Sequence, residues 1–149
     1  MTGSLPERVR AWVDDPSLSL HDVLRRTVQA LFDHPRYDWT GVYLLEGQTL
    51  VLHSYLGRPT EHTRIPVGRG ICGTAVADNK NLNIADVAQQ ENHLACSVET
   101  RSEIVVLIRT GDKIHGQIDI DSDSPAAFGP DDERLLQAVA AELSRRLHQ

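Results

Sequence analysis

Two aspartates stand two residues apart in a strand-like segment of the C-terminal third of the chain. In the stretch HGQIDIDS, Asp119 and Asp121 alternate with Ile118 and Ile120. Because successive side chains of a strand point to opposite faces, both carboxylates and Gln117 share one face, and both isoleucines share the other. Carboxylates held this close repel each other, and this repulsion raises the pKa of each. Either a bound cation or a retained proton relieves it, so the pair can bind a cation or keep a proton for transfer. A solvated sheet face is the alternative interpretation.

The chain contains two cysteines, Cys72 and Cys96. Cys96 lies at the centre of AQQENHLACSVETRS, a stretch without hydrophobic periodicity, and structureless loops of this length are usually functional. In a reducing compartment both residues are thiols, and reactive, metal-binding and simply buried roles all stay open. A four-ligand zinc site that adds His62 and His93 to the two cysteines is a further alternative.

Two aromatic residues flank a glycine in the segment DWTGVYLLE. Trp39, Gly41 and Tyr43 alternate along this segment and therefore share one face of the predicted strand. Aromatic side chains on either side of a glycine, which leaves space between them, fit the lining of a ligand pocket. Burial of both rings in the core is the alternative.

Helices are predicted at both ends of the region that carries these residues. Apolar residues recur at helical spacing after Ser19, a candidate N-cap with Asp22 three residues later, and this helix ends near His34 and Pro35. A second amphipathic helix begins at Pro130 and continues to the end of the chain.

Between the helices the sequence predicts two hairpins. DWTGVYLLE and TLVLHSYL are joined by Gly47-Gln48, and EIVVLIRT and KIHGQIDID by Gly111-Asp112. RIPVGRGICGTAVADNK predicts a short strand, a glycine turn and a helix of about two turns, and LNIADV predicts another short strand. We therefore predict one α+β domain over residues 1–149, an antiparallel sheet with terminal helices on one face and a ligand pocket on the other.

Charge and composition limit the partners that can be expected. The 149 residues have a formal net charge of −6, and the 15 Lys and Arg residues are scattered. This distribution lacks the basic footprint of a nucleic-acid or anionic-membrane binder, so a small or cationic partner is expected. No run approaches the roughly 18 apolar residues of a membrane span, and the first residues lack the apolar stretch of a signal peptide. We expect a cytoplasmic protein.

Four motifs resemble one known family. GRGICGTAVA, NHLAC, SEIVV and GQIDIDS, in this order and at these separations, resemble the free methionine-(R)-sulfoxide reductases, which are single GAF domains. The resemblance extends from about Trp39 to the terminal helix. It implies an antiparallel sheet with helices behind it and a ligand pocket in front. It also implies a thiol enzyme that reduces free methionine sulfoxide and not the oxidised residue within proteins.

The same resemblance implies a role for each candidate residue. The positions that match the family's site are the catalytic Cys96, the substrate-binding Trp39 and Tyr43, and the acidic Glu103, Asp119 and Asp121. The acids would receive the substrate's ammonium group, and one protonated carboxyl group, assigned to Asp119, would donate to the sulfoxide oxygen. Cys96 would become a sulfenic acid, and thioredoxin or a similar reductant would restore the thiol. No metal or cofactor is expected, and a second copy of the chain is a candidate partner.

The sequence departs from the family's pattern at two positions. Typical members carry a further cysteine where this chain has His62, ten residues before Cys72, and often an aspartate where it has Ser97. Cys72 matches the family's other cysteine and could resolve the Cys96 sulfenic acid if the two thiols reach disulfide distance. If they do not, an external thiol must attack the Cys96 sulfenic acid. The alternative function is a noncatalytic GAF sensor or binding module for a small amino compound.

Overall fold

The computed structural model describes residues 3–90 and 99–148. The helices are α1 (Leu5–Val13), α2 (Leu20–Phe32), α3 (Gly70–Asp78) and α4 (Pro130–Leu147), and a short 3-10 helix covers Val87–Gln89. The strands are β1 (Trp39–Glu46), β2 (Thr49–Leu56), β3 (Arg64–Pro66), β4 (Leu82–Ile84), β5 (Ser102–Thr110) and β6 (Lys113–Ser122). None of these helices combines the length and apolar composition that crossing a bilayer requires.

The strands form one antiparallel sheet in the order β3-β2-β1-β6-β5-β4. Both predicted hairpins are confirmed, β1–β2 and β5–β6. Gly47 and Gly111 begin the two turns with φ angles of 62° and 58°, in the left-handed region that glycine adopts without steric cost. The register places β6 between β1 and β5, so side chains at its centre have neighbours on both sides.

The terminal helices cover one face of the sheet and confirm the predicted α+β architecture. The core between them and the sheet includes Ile118 and Ile120 of β6, Val42 of β1 and Leu24 of α2, all fully buried. Helix α2 begins as predicted, because the Ser19 side chain accepts from the third helical residue and the side chain of that residue accepts from the Ser19 backbone.

Helix α1 was not predicted from the sequence. It begins after Ser4, whose hydroxyl accepts from the Glu7 backbone amide, and it buries Val9, Trp12 and Val13 against the core. The spacing of these three residues, at i, i+3 and i+4, is the helical signal. The segment is short, and its few apolar residues stand among charged ones.

The opposite face of the sheet is covered by α3 and the segments around it. A second core joins Trp39 and Tyr43 of β1, Val105 and Leu107 of β5, and the apolar side of α3. Gly73 allows α3 to approach this closely, since a Cβ there would lie 2.6 Å from the Pro66 carbonyl oxygen. The face that carries the aspartates is therefore enclosed by protein.

Candidate active site

The register of the central strands brings the predicted acidic residues together on one face. Asp119 and Asp121 of β6 lie opposite Gly41 and Trp39 of β1. On the other side, Asp121 lies opposite Glu103 of β5. Residues that are opposite or diagonal on neighbouring strands are close enough for side-chain contact. The three carboxyl groups thus form one cluster, which we call the acidic cluster, with the aromatic residues of β1 beside it.

The acidic cluster is buried. Glu103 is 4% exposed, and Asp119 and Asp121 are each 2% exposed. The solvated-face interpretation of the aspartates is therefore wrong. Burial raises the pKa of Glu103 well above its ordinary value, and the charges of Asp119 and Asp121 and hydrogen bonds with their side chains raise it further. The cluster consequently holds a proton, centred on Glu103, at pH values where a solvated glutamate is ionised.

This proton gives a pH dependence of stability whose sign can be worked out. Between the ordinary pKa of 4.5 and the raised pKa of the folded protein, Glu103 keeps its proton when folded and loses it when unfolded. The retained proton therefore contributes to the free energy of unfolding. This contribution is fully present below pH 4.5 and decreases as the pH rises towards the pKa of Glu103 in the folded protein. Glu103→Gln, which carries no charge, should remove this slope. Urea denaturation of both proteins from pH 5 to 8 tests it, and parallel curves would contradict the assignment.

Cys72 packs on the acidic cluster from α3. Its thiol donates a hydrogen bond of 3.8 Å to Oε2 of Glu103, and its carbonyl oxygen accepts from Nε2 of Gln117 at 3.1 Å. Burial raises the pKa of the Cys72 thiol well above its ordinary value, and the charges of Asp119 and Glu103 add to the effect. In this environment Cys72 is a neutral thiol and a weak nucleophile.

The two aromatic side chains of β1 hold the segment that crosses the site. Nε1 of Trp39 donates to the carbonyl oxygen of Arg58 at 3.1 Å, and the hydroxyl of Tyr43 donates to the carbonyl oxygen of His62 at 2.7 Å. The Trp39 ring also stacks on Tyr55, with centroids 5.4 Å apart. Both rings are buried, as the core interpretation requires, and Tyr43 also lines the small cavity between α3 and the sheet.

The space beside Gly41 is occupied by the Trp39 indole. A Cβ at residue 41 would lie 2.5 Å from Cη2 of that ring, so the glycine makes room for the tryptophan side chain. We expect Gly41→Ala to displace the indole and to lower the free energy of unfolding by about 1–3 kcal/mol. The indole N–H signal of Trp39 should shift in NMR spectra while that of Trp12 stays. Gly129→Ala is the matched control because nothing lies within 4 Å of its added Cβ, and equal effects would contradict this role.

Part of the site is a small cavity between α3 and the sheet. Its lining residues include Tyr43, His62, Ile71, Cys72, Glu103 and Asp119. The volume is about 10 Å³, enough for about one water molecule. A ligand as large as an amino acid therefore requires the lining groups to shift.

Cys96, the predicted nucleophile, lies outside the described residues, as do His93 and Ser97. Of the four candidate zinc ligands, His62 and Cys72 are described, and both line the cavity. Within residues 3–90 and 99–148, ligand atoms of Cys72, Glu103 and Asp119 lie within 4.8 Å of one another, which is compatible with metal coordination. The raised pKa values of Cys72 and Glu103 favour protonated groups at this position instead.

Arg58 is a residue of this region that the sequence analysis did not identify. Its guanidinium forms two hydrogen bonds with the Asp123 carboxylate, at 2.5 and 3.0 Å, and lies 3.5 Å from Glu99. Arg58 thus connects the segment held by Trp39 with the residues just after β6. The only sequence signal was its place in a loop rich in glycine, proline and threonine.

Comparison with known proteins agrees with this geometry. Residues 19–147 match the GAF domain family. The chain is 44% identical to free methionine-R-sulfoxide reductase of Escherichia coli over 110 residues, which are 74% of this chain and 66% of the length of that protein. The matched region thus spans slightly less than two thirds of the E. coli protein.

Two solved structures match nearly the whole chain. The type II free methionine-R-sulfoxide reductase of Thermoplasma acidophilum is 36% identical with a TM-score of 0.81, and the match covers 97% of this chain and 96% of that one. The free methionine-R-sulfoxide reductase of Neisseria meningitidis, in complex with its substrate, is 32% identical with a TM-score of 0.88, and the match covers 97% and 86%. This chain therefore belongs to the GAF domain family and, within it, to the free methionine-R-sulfoxide reductases.

Proposed function

We propose that this protein reduces free L-methionine-(R)-sulfoxide to methionine with Cys96 as the nucleophile. The observation that carries the proposal is the acidic cluster, three buried carboxyl groups beside Trp39 and Tyr43. Gathering such groups in a buried position costs free energy, and a ligand cation offsets that cost. A relative of the same family has been crystallised with its substrate.

Recognition begins with the ammonium group of the substrate. The acidic cluster receives it, and each charge-assisted hydrogen bond is stronger than one between neutral groups. Trp39 and Tyr43 border the less polar part of the ligand. A methionine residue inside a protein has an amide in place of this ammonium group, so the same interaction selects the free amino acid.

The chemical step transfers one oxygen atom to Cys96. The Cys96 thiolate attacks the sulfoxide sulfur while a carboxyl group of the cluster, assigned to Asp119, protonates the sulfoxide oxygen, and a sulfur–sulfur bond joins Cys96 to the substrate. The hydroxyl group then moves from the substrate sulfur to the Cys96 sulfur, as the substrate's sulfur–oxygen bond and the new sulfur–sulfur bond break. Methionine leaves, and Cys96 becomes a sulfenic acid. The raised pKa of Glu103 supports the proton supply, because this residue keeps a proton and shares a hydrogen bond with Asp119.

Recovery of the thiol uses Cys72 and thioredoxin. The Cys72 thiol condenses with the sulfenic acid, water leaves, and a Cys72–Cys96 disulfide forms. A thioredoxin dithiol then reduces this disulfide and is itself oxidised. The neutral state of Cys72 keeps it from competing with Cys96 for the sulfoxide.

We expect Cys72→Ser to separate the two halves of this cycle. A single turnover should still yield one methionine per protein, because Cys96 is intact. The steady-state rate with thioredoxin should fall by roughly tenfold or more, since the sulfenic acid then awaits an external thiol. Rapid-quench and steady-state assays measure the two quantities. Equal steady-state rates would mean that Cys72 has no resolving role.

A coupled assay tests the function itself. Consumption of NADPH is followed with thioredoxin, thioredoxin reductase and free methionine-(R)-sulfoxide, and the (S)-epimer and an N-acetylated sulfoxide serve as matched controls. Turnover of the free (R)-epimer alone supports the proposal. If none of the three is reduced while methionine or its sulfoxide still binds in calorimetry, the chain is a noncatalytic binding module.

A further inference from the structure

A second cavity lies on the helical side of the sheet, away from the candidate active site. It has a volume of about 210 Å³, and the residues that matter for its chemistry are Arg8, Trp12, Arg25, Arg26, Gln29 and Asp33. Trp12 belongs to the core beneath the terminal helices, whereas Cys72 belongs to the core on the other face. The two cavities are therefore separated by the sheet.

Two of the arginines are held on one aromatic ring. Cζ of Arg8 lies 5.4 Å from the centroid of the Trp12 ring, and Cζ of Arg26 lies 6.0 Å from it. Cation–π contacts at these distances are attractive and restrict where the guanidinium groups lie. Because α1 supplies one arginine and α2 the other, the ring brings positive charges from two elements to one cavity.

The positive charge in this cavity is only partly balanced by carboxylates. Within residues 3–90 and 99–148, Arg8, Arg25 and Arg26 form no salt bridge within 4 Å, whereas Arg58 and Arg145 do. Arg26 acts on Asp15 and Asp22 only at longer range. Against three arginines the lining contains one carboxylate, Asp33. This excess is notable in a chain of net charge −6.

Much of the hydrogen-bonding capacity of this cavity is not used within the protein. Nε of Arg8 is buried and has no hydrogen-bond partner in the described part of the chain. The exposed side chains of Arg25, Arg26 and Gln29 form no hydrogen bond with other described residues either. A guanidinium group has five donors in a planar arrangement that matches the oxygens of phosphate, and it binds them in pairs.

We propose that this cavity binds the phosphate group of a small molecule. The three guanidinium groups and the Gln29 amide supply donors, and Asp33 at the rim limits the affinity by repulsion. The Trp12 ring is covered by the two arginines and is only 8% exposed, so it positions them and does not stack on the ligand. The volume is smaller than that of a typical drug-sized pocket, which favours a compact phosphate or phosphate monoester.

The test is an NMR titration of the whole chain with inorganic phosphate, in which sodium chloride keeps the ionic strength constant. We expect saturable shifts confined to amides of α1 and α2. Arg26→Gln should weaken binding by about fivefold or more, and Asp33→Asn should strengthen it. Arg36→Gln is the matched control, because Arg36 is an exposed arginine outside the cavity, and it should leave binding unchanged.

Two further arms identify the source of the phosphate group. Glycerol 3-phosphate should compete with inorganic phosphate for the same amides, and vesicles that contain phosphatidic acid should not retain the protein. Non-saturable shifts, or equal weakening by Arg26→Gln and Arg36→Gln, would show only general screening and overturn the proposal. Binding to the vesicles without binding of glycerol 3-phosphate would overturn it as well.

Discussion

Replacing Cys96 by serine is expected to abolish reduction of free methionine-(R)-sulfoxide, with a loss on the order of 10³-fold or more. The reaction needs a thiolate that can accept the oxygen atom and be reduced again, and a serine hydroxyl does neither. Cys72, the other cysteine, cannot substitute, because burial and the charges of Asp119 and Glu103 raise the pKa of its thiol and keep it neutral. The rate is measured in a single turnover by the yield of methionine, so that the result does not depend on thioredoxin.

The control for this experiment is ligand binding. Calorimetry should give similar affinities for methionine sulfoxide in the parent and in Cys96→Ser, because recognition depends on the acidic cluster and on Trp39 and Tyr43. Loss of the reaction with binding retained would assign the nucleophile. Single-turnover reduction that persists in Cys96→Ser and disappears in Cys72→Ser would transfer that role to Cys72.

The sheet could be predicted from the sequence because its signals are local. Alternation in QIDID, and the turns at Gly47 and Gly111, determine which side chains share a face and which strands form hairpins. The same alternation predicted that Asp119 and Asp121 lie on the face of the sheet opposite to that of Ile118 and Ile120, and the structure agrees. The predicted positions of the site residues on the strands followed from this period of two.

The burial of the site could not be predicted in the same way, because it depends on contacts between distant segments. Alternation alone left the aspartates on a face that could have been solvated. Their burial arises from α3, which Gly73 allows to approach Pro66, and from the segment at Arg58 and His62 that Trp39 and Tyr43 hold. In each of these contacts at least one partner is a backbone atom of a distant segment, and no periodicity in the side chains reports it.

Replacing Asp121 by asparagine is expected to weaken binding of methionine sulfoxide by about 1.5–3 kcal/mol, roughly tenfold to a hundredfold. Asparagine preserves the size of the side chain and removes one negative charge from the acidic cluster that receives the ammonium group. The free energy of unfolding should not fall in parallel. Burial, the charge of Asp119 and then the charge of Asp121 raise the pKa of Glu103, so removing the Asp121 charge relieves repulsion within the cluster. Calorimetry measures the affinity, and urea denaturation the stability. Asp112→Asn is the matched control, because Asp112 is exposed in the turn of the same hairpin.

The N-acetylated sulfoxide completes the test because it has no cation. It should bind the parent poorly and lose little more affinity in Asp121→Asn, so that the two changes are strongly non-additive, as expected when both remove one interaction. If the acetylated and unmodified ligands bind the parent equally well, the acidic cluster is not the ammonium receptor. The assignment of the free amino acid as substrate would then be withdrawn, and the buried carboxyl groups of β5 and β6 would need another ligand.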